Sequence, residues 1–237
     1  SSDLKYFKKI KSYSLLSFLF TKKIKHRISD YGDTHWVHET ERNHELIAAI
    51  TSLNVQLPKL YPSEQDFAKV AALKKQAYIT IAPSSVWFTK QFPIAKWIAF
   101  VKTVPKHYAI YLLGGKGDHA MAALIAEYAK DNCVNLCGNL SLLESAALMQ
   151  DAFMNYVNDS GPLHICSAMN APTRAIFCST QANFGFGPLS TNSKIITYKE
   201  NLACKPCGLH GKKECPEGHF TCALGIDINE LSECLTA

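Results

Sequence analysis

The sequence predicts an α/β fold built on a parallel sheet, and two observations carry that prediction. From residue 65 onward, short runs rich in β-branched and aromatic residues alternate with amphipathic helical runs. The alternation is regular enough to place a helix between each pair of strands, so the helices cover both faces of the sheet.

Taken in order, the β-type runs are 77–82 (AYITIA), 107–113 (HYAIYLL), 133–136, 152–157 (AFMNYV) and 173–178 (TRAIFC), with a last one near 194–198. The helical runs between them are 94–103, 118–131, 141–150 and 161–170, and a final helix is expected near 227–235. Upstream, residues 4–28 read as one or two basic helices and 38–52 as another. The connector NVQLPKLYPSEQ, with Pro58 and Pro62, marks a change of composition. A domain boundary is expected within 54–64, dividing the chain into 1–58 and 59–237.

The bulk numbers are those of an ordinary globular protein: 237 residues, 47% hydrophobic and 19% charged. No apolar run approaches the ~20 residues of a membrane-spanning helix. The chain begins Ser1-Ser2-Asp3, with neither a methionine nor a signal-peptide pattern, so a processed, engineered or incomplete start is expected. The net charge of +5 is concentrated at the N-terminus, where residues 1–28 hold eight basic residues and one acid. The remainder carries 17 basic against 19 acidic residues, which argues against a nucleic-acid partner. Five of the nine cysteines (Cys133, Cys137, Cys166, Cys178, Cys234) sit in apolar or helical contexts, as free thiols do in a reducing cytoplasm.

In such sheets ligands bind beyond the carboxyl ends of the strands, so the informative loops are 83–93, 114–118, 137–141, 158–164 and 179–190. The first delivers the hydroxyls of Ser84 and Ser85 and then Lys90, groups that suit a phosphate, although a surface lysine is the plainer reading. The second, LLGGKGD, ends on Asp118, which reads equally as a helix N-cap and as a ribose or base contact. It lacks the spacing of a dinucleotide fingerprint. The fourth is the strongest. Asp159-Ser160-Gly161-Pro162 opens a helix whose free N–H groups make an anion site, and His164 shares its first turn.

These residues resemble the family 9 glycosyltransferases, the lipopolysaccharide heptosyltransferases. The resemblance rests on the D-S-G-P-L-H turn, the following A-P-T-R-A-I-F-C-S-T, P-S-S…T-K-Q-F-P upstream, H-E-T-E-R-N at 38–43 and the cysteine-rich tail. It implies a GT-B fold: residues 59–237 form a complete Rossmann-like donor domain, and 1–58 form part of a second, acceptor domain. It also implies an inverting transfer of heptose from ADP-heptose to a lipopolysaccharide inner-core acceptor, without a cofactor, in the cytoplasm. Ser84, Ser85 and Lys90 match the residues that hold the donor diphosphate. Asp118 falls near the nucleoside and Leu140 at the base pocket, while Asp159, Ser160, Gly161, Pro162 and His164 match the turn at diphosphate and sugar. The family's catalytic base belongs to a strand and Gly-Asp loop that this chain does not display; Tyr31-Gly32-Asp33 is only an echo of it. The catalytic residue is therefore unassigned, and a noncatalytic nucleotide-binding module is the alternative.

Two features stay open. Cys204, Cys207, Cys215 and Cys222 could hold zinc, but the second short Cys pair of most zinc sites is missing. Reduced cysteines in a compact loop are the favoured reading, and no metal is assigned. The basic N-terminal stretch suits either a solvated helix or peripheral contact with anionic lipid at the inner membrane.

Overall fold

A computed structural model describes residues 24, 36–51, 54–129 and 132–235. The expected basic helices over 4–28 lie outside the described residues apart from Ile24, as do Tyr31, Gly32 and Asp33. Six strands form one sheet: β1 (Tyr78–Ala82), β2 (Ala109–Leu112), β3 (Cys133–Asn135), β4 (Met154–Asn158), β5 (Thr173–Phe177) and β6 (Ser193–Thr197). Their order is β3-β2-β1-β4-β5-β6 and every pair is parallel, the doubly wound arrangement. The register places Ile81 between Leu112 of β2 and Tyr156 of β4.

The helices of the described residues are α1 (Glu39–Ile47), α2 (Glu64–Val70), α3 (Ile94–Val101), α4 (His119–Tyr128), α5 (Leu142–Gln150), α6 (Gly161–Met169), α7 (Thr221–Leu224) and α8 (Asn229–Ser232). All residues of β1, β2 and β4 are buried, because helices cover the sheet on both sides. Side chains alternate between the faces. Ile79, Ile81, Ile110 and Tyr156 join Trp97 and Phe100 of α3, Ile125 of α4 and Leu231 of α8. Tyr78, Tyr111 and Val157 face the other way and pack with Val70 of α2, Leu148 of α5 and Leu163 of α6.

The six expected strands are all present, with ends shifted by one or two residues, and the helices are shorter than read. The helix expected near 227–235 is a single turn over Asn229–Ser232, preceded by an unexpected turn, α7. A larger omission is α2. Ser63 accepts from the Asp66 amide, and Asp66 accepts in return from the Ser63 amide at 2.7 Å, a capping box that starts the helix inside the connector, two residues after Pro62.

Candidate functional site

The strand order reverses at β1, so the loops after β1 and β4 diverge around a crevice at the sheet's carboxyl edge. The donor residues anticipated at Ser84, Ser85, Lys90 and Asp159–His164 flank this crevice, because they follow β1 and β4 directly. Asn158, the last residue of β4 and fully buried, ties the two loops together. Its amide donates to the carbonyls of Pro83 (2.7 Å) and Ser84 (3.3 Å), and its oxygen accepts from the Phe92 amide at 3.0 Å. Gln91 closes the loop by donating to the Ser85 carbonyl at 2.6 Å. The Ser84 and Ser85 hydroxyls are half-exposed and have no hydrogen-bond partner among the described residues.

Lys90 forms an ion pair with the buried Asp159 (Nζ to Oδ2, 2.8 Å), and the Thr180 hydroxyl donates to the same oxygen at 2.6 Å. Ser160 precedes α6 in an extended conformation and does not cap it with its side chain. A Cβ added to the exposed Gly161 would meet nothing within 4 Å, so the first turn of α6 borders open space. Pro162 lies in that turn, where a missing N–H costs nothing. His164 is exposed at the same end, with Phe186 edge-on at 6.2 Å. Crowding by protein holds its pKa below the ordinary value, and the Lys90 charge acts in the same direction against the pull of Asp159.

Asp118 and Leu140 lie along the same sheet edge, beyond β2 and β3. Asp118 does not cap α4 with its side chain; its carboxylate turns back to accept from the Gly115 amide at 2.7 Å. Gly114 permits this, since a Cβ there would stand 2.7 Å from Asp118 Oδ2. Leu140 is half-buried against the core below α5.

The cysteine-rich segment packs against the turn that carries Lys90. The Thr89 amide donates to Lys212 O (3.1 Å) and the Lys212 amide returns to Thr89 Oγ1 (2.7 Å), immediately before Lys90 in the chain. Ser179 Oγ donates to Thr89 Oγ1 at 3.0 Å, and the Cys207 amide donates to Ser179 O at 3.1 Å. Lys205, buried, donates to Phe177 O at 3.2 Å and to Thr197 Oγ1, which ties the segment to the ends of β5 and β6. All nine cysteines are free thiols. Burial raises the Cys207 thiol, and raises that of Cys222 to about 11, so both are protonated at neutral pH. Among the described residues no three His, Cys, Asp or Glu side chains converge as a metal site would require.

Segment 36–42 docks on the 184–187 loop. Arg42, buried, donates to Phe184 O (3.0 Å), Val37 O (2.9 Å) and Glu39 Oε2 (2.8 Å), while the Glu39 amide donates to Gly185 O (2.9 Å). His38 Nδ1 accepts from the Thr40 amide at 3.1 Å, and Nε2 carries the proton because it faces the Gly187 carbonyl at 3.2 Å. Burial lowers the His38 pKa, and nearby His164 adds to the effect. A histidine whose folded pKa is depressed contributes stability that is full above its unfolded value of about 6.5 and is lost as pH falls below it. Amide protection across α1, measured relative to the intrinsic exchange rate at each pH, is therefore expected to fall between pH 7 and 5 more than in β1 or β4. Uniform behaviour across the three elements, or an NMR-titrated His38 pKa above 6.5, would contradict this.

An all-parallel doubly wound sheet with its loops at the switch point places the chain in the doubly wound α/β class, whose ligands bind beyond the carboxyl ends of the strands. The model of glycosyltransferase family 9 (heptosyltransferase) matches residues 16–220, and the chain belongs to that family. It is 27% identical over 206 residues to lipooligosaccharide heptosyltransferase 2 of Haemophilus ducreyi, covering 80% of this chain and 58% of that protein. The Haemophilus influenzae lipooligosaccharide heptosyltransferase 2 is 32% identical over 106 residues, 43% of this chain and 30% of that one. The chain thus spans less than two thirds of the length of these relatives. Among solved structures, E. coli ADP-heptose lps heptosyltransferase II superposes with a TM-score of 0.63 at 20% identity, over 85% of this chain and 62% of that one. E. coli heptosyltransferase WaaC with ADP gives 0.59 at 17% identity, over 93% and 60%. These likenesses support the GT-B-like α/β fold.

Proposed function

We propose that this chain carries the donor-binding half of an inverting glycosyltransferase that moves heptose from an ADP-sugar to a lipopolysaccharide-core acceptor. The observation that carries the reading is the meeting, at one sheet edge, of the Ser84 and Ser85 hydroxyls, unpartnered among the described residues, the Lys90 ammonium and the open start of α6. Family membership and the names of the relatives, lipooligosaccharide and ADP-heptose heptosyltransferases, support the donor and the acceptor class. In this reading residues 59–237 form the donor domain and 1–58 belong to the acceptor domain. The enzyme works in the cytoplasm, with its basic N-terminal stretch against the anionic inner membrane.

During transfer a base removes the acceptor proton, the hydroxyl attacks the anomeric carbon and ADP departs. Negative charge grows on the leaving diphosphate, where Lys90 and the N–H groups of α6 stabilise it; the helix contribution is about 0.3–1 kcal/mol. Asp118 and Leu140 would meet the nucleoside further along the edge. Charge neutralisation is assigned to protein groups, without a divalent cation, because the sequence has no Asp-x-Asp pair to hold one.

Calorimetric titration of the chain with ADP tests the reading. Binding is expected with and without EDTA. No heat of binding from a folded sample would remove the donor-site assignment, and binding lost only on chelation would remove the metal-free account.

A further inference from the structure

We propose that Thr180 is a positioning residue for the donor diphosphate, acting through Asp159 on Lys90; this rests on the reading of Lys90 as the donor lysine. A lysine ammonium on a four-carbon stem is a mobile charge, and its use at a phosphate depends on what holds it. Here the holder is one carboxylate oxygen. Asp159 Oδ2 receives the Lys90 ammonium at 2.8 Å and the Thr180 hydroxyl at 2.6 Å. The two donors reach it from different elements, Lys90 from the turn after β1 and Thr180 from the loop after β5, while Asp159 itself directly follows β4. The Asp159 backbone is fixed by its amide donating to Ile176 O at 3.0 Å.

With the backbone fixed, the carboxylate retains rotation about its terminal bond, and the Thr180 hydroxyl locks it. Thr180 is 1% exposed and Asp159 6%, so water has little access to replace the hydroxyl. Removing the hydroxyl while keeping the shape frees the carboxylate to turn, and the ammonium turns with it. A hydroxyl that merely satisfied a buried acceptor would affect the fold without reference to Lys90. Coupling to Lys90 separates the two roles.

The test is calorimetric ADP affinity of the full chain as wild type, Thr180→Val, Thr180→Ser, Lys90→Ala and the Thr180→Val/Lys90→Ala pair, with thermal melts alongside. Thr180→Val is expected to weaken ADP binding roughly threefold to tenfold, the range of one lost hydrogen bond. Thr180→Ser, which keeps the hydroxyl, should stay within about twofold of wild type. In the Lys90→Ala background the valine should cost nothing further. Wild-type affinity in Thr180→Val, or an equal loss with and without Lys90, would overturn the positioning role. A wild-type chain that binds no ADP would instead overturn the donor-site reading, and this proposal with it. Should Thr180→Val lose its cooperative melt, Thr180→Ala carries the same comparison.

Discussion

Lys90→Ala is expected to weaken ADP binding at least about tenfold and to lower the melting temperature as well. Both effects come from one atom. A hydrogen bond to a charged group is worth about 1.5–3 kcal/mol, and tenfold in affinity corresponds to about 1.4 kcal/mol. The second effect arises because Asp159 is only 8% exposed in its side chain and would keep Thr180 as its partner while losing its counter-charge. Removing one member of a buried pair costs about 3–5 kcal/mol, and the opening of this site to solvent keeps the expected loss at or below the lower end. The two effects separate in Lys90→Ala/Asp159→Asn, where the uncompensated carboxylate is gone. That pair should recover much of the melting temperature and none of the ADP affinity. If Lys90→Ala bound ADP as wild type does, the lysine would be a structural partner of Asp159 and nothing more.

The sheet was legible because parallel strands covered on both faces are largely apolar runs, as YITIA and AIYL are, whereas MNYVN buries two asparagines among its apolar residues. Strand ends moved by a residue or two where burial changes gradually. Helix α2 was hidden by two prolines, although Ser63 and Asp66 spelled out a capping box. The residues after β1 and β4 were readable from their loop positions. Their partners were not. Asn158 reaches carbonyls 75 and 74 residues upstream, and Thr180 meets Asp159 only because β4 and β5 are neighbours. The cysteine segment posed a question about metal and thiols when read as sequence. Its backbone, through Lys212 and Cys207, turns out to hold the turn that carries Lys90.

Gly185→Ala is expected to release α1 from the rest of the protein. Gly185 has φ of 103°, a conformation that strains a side-chain-bearing residue by about 1–3 kcal/mol. An added Cβ would also stand 2.0 Å from Arg42 Nη2 and 3.2 Å from Val37 O, inside the fork that Arg42 uses. The guanidinium must then leave Phe184 O or Val37 O, bonds of 3.0 and 2.9 Å, and each charge-assisted bond lost costs about 1.5–3 kcal/mol. Together these are expected to amount to at least about 3 kcal/mol against the docking of this segment. The loss should appear as local opening: amides of 39–47 exchange freely, while those of β1 and β4 keep their protection. Arg42→Lys should give a weaker version, because an ammonium cannot span Phe184 O, Val37 O and Glu39 at once. Phe186, two residues from Phe184, lies edge-on to His164. Freeing the 182–187 loop should therefore also shift the His164 NMR signals. Unchanged protection of α1 in Gly185→Ala would show that the loop accommodates a side chain, and that the Arg42 fork is not what holds the helix in place.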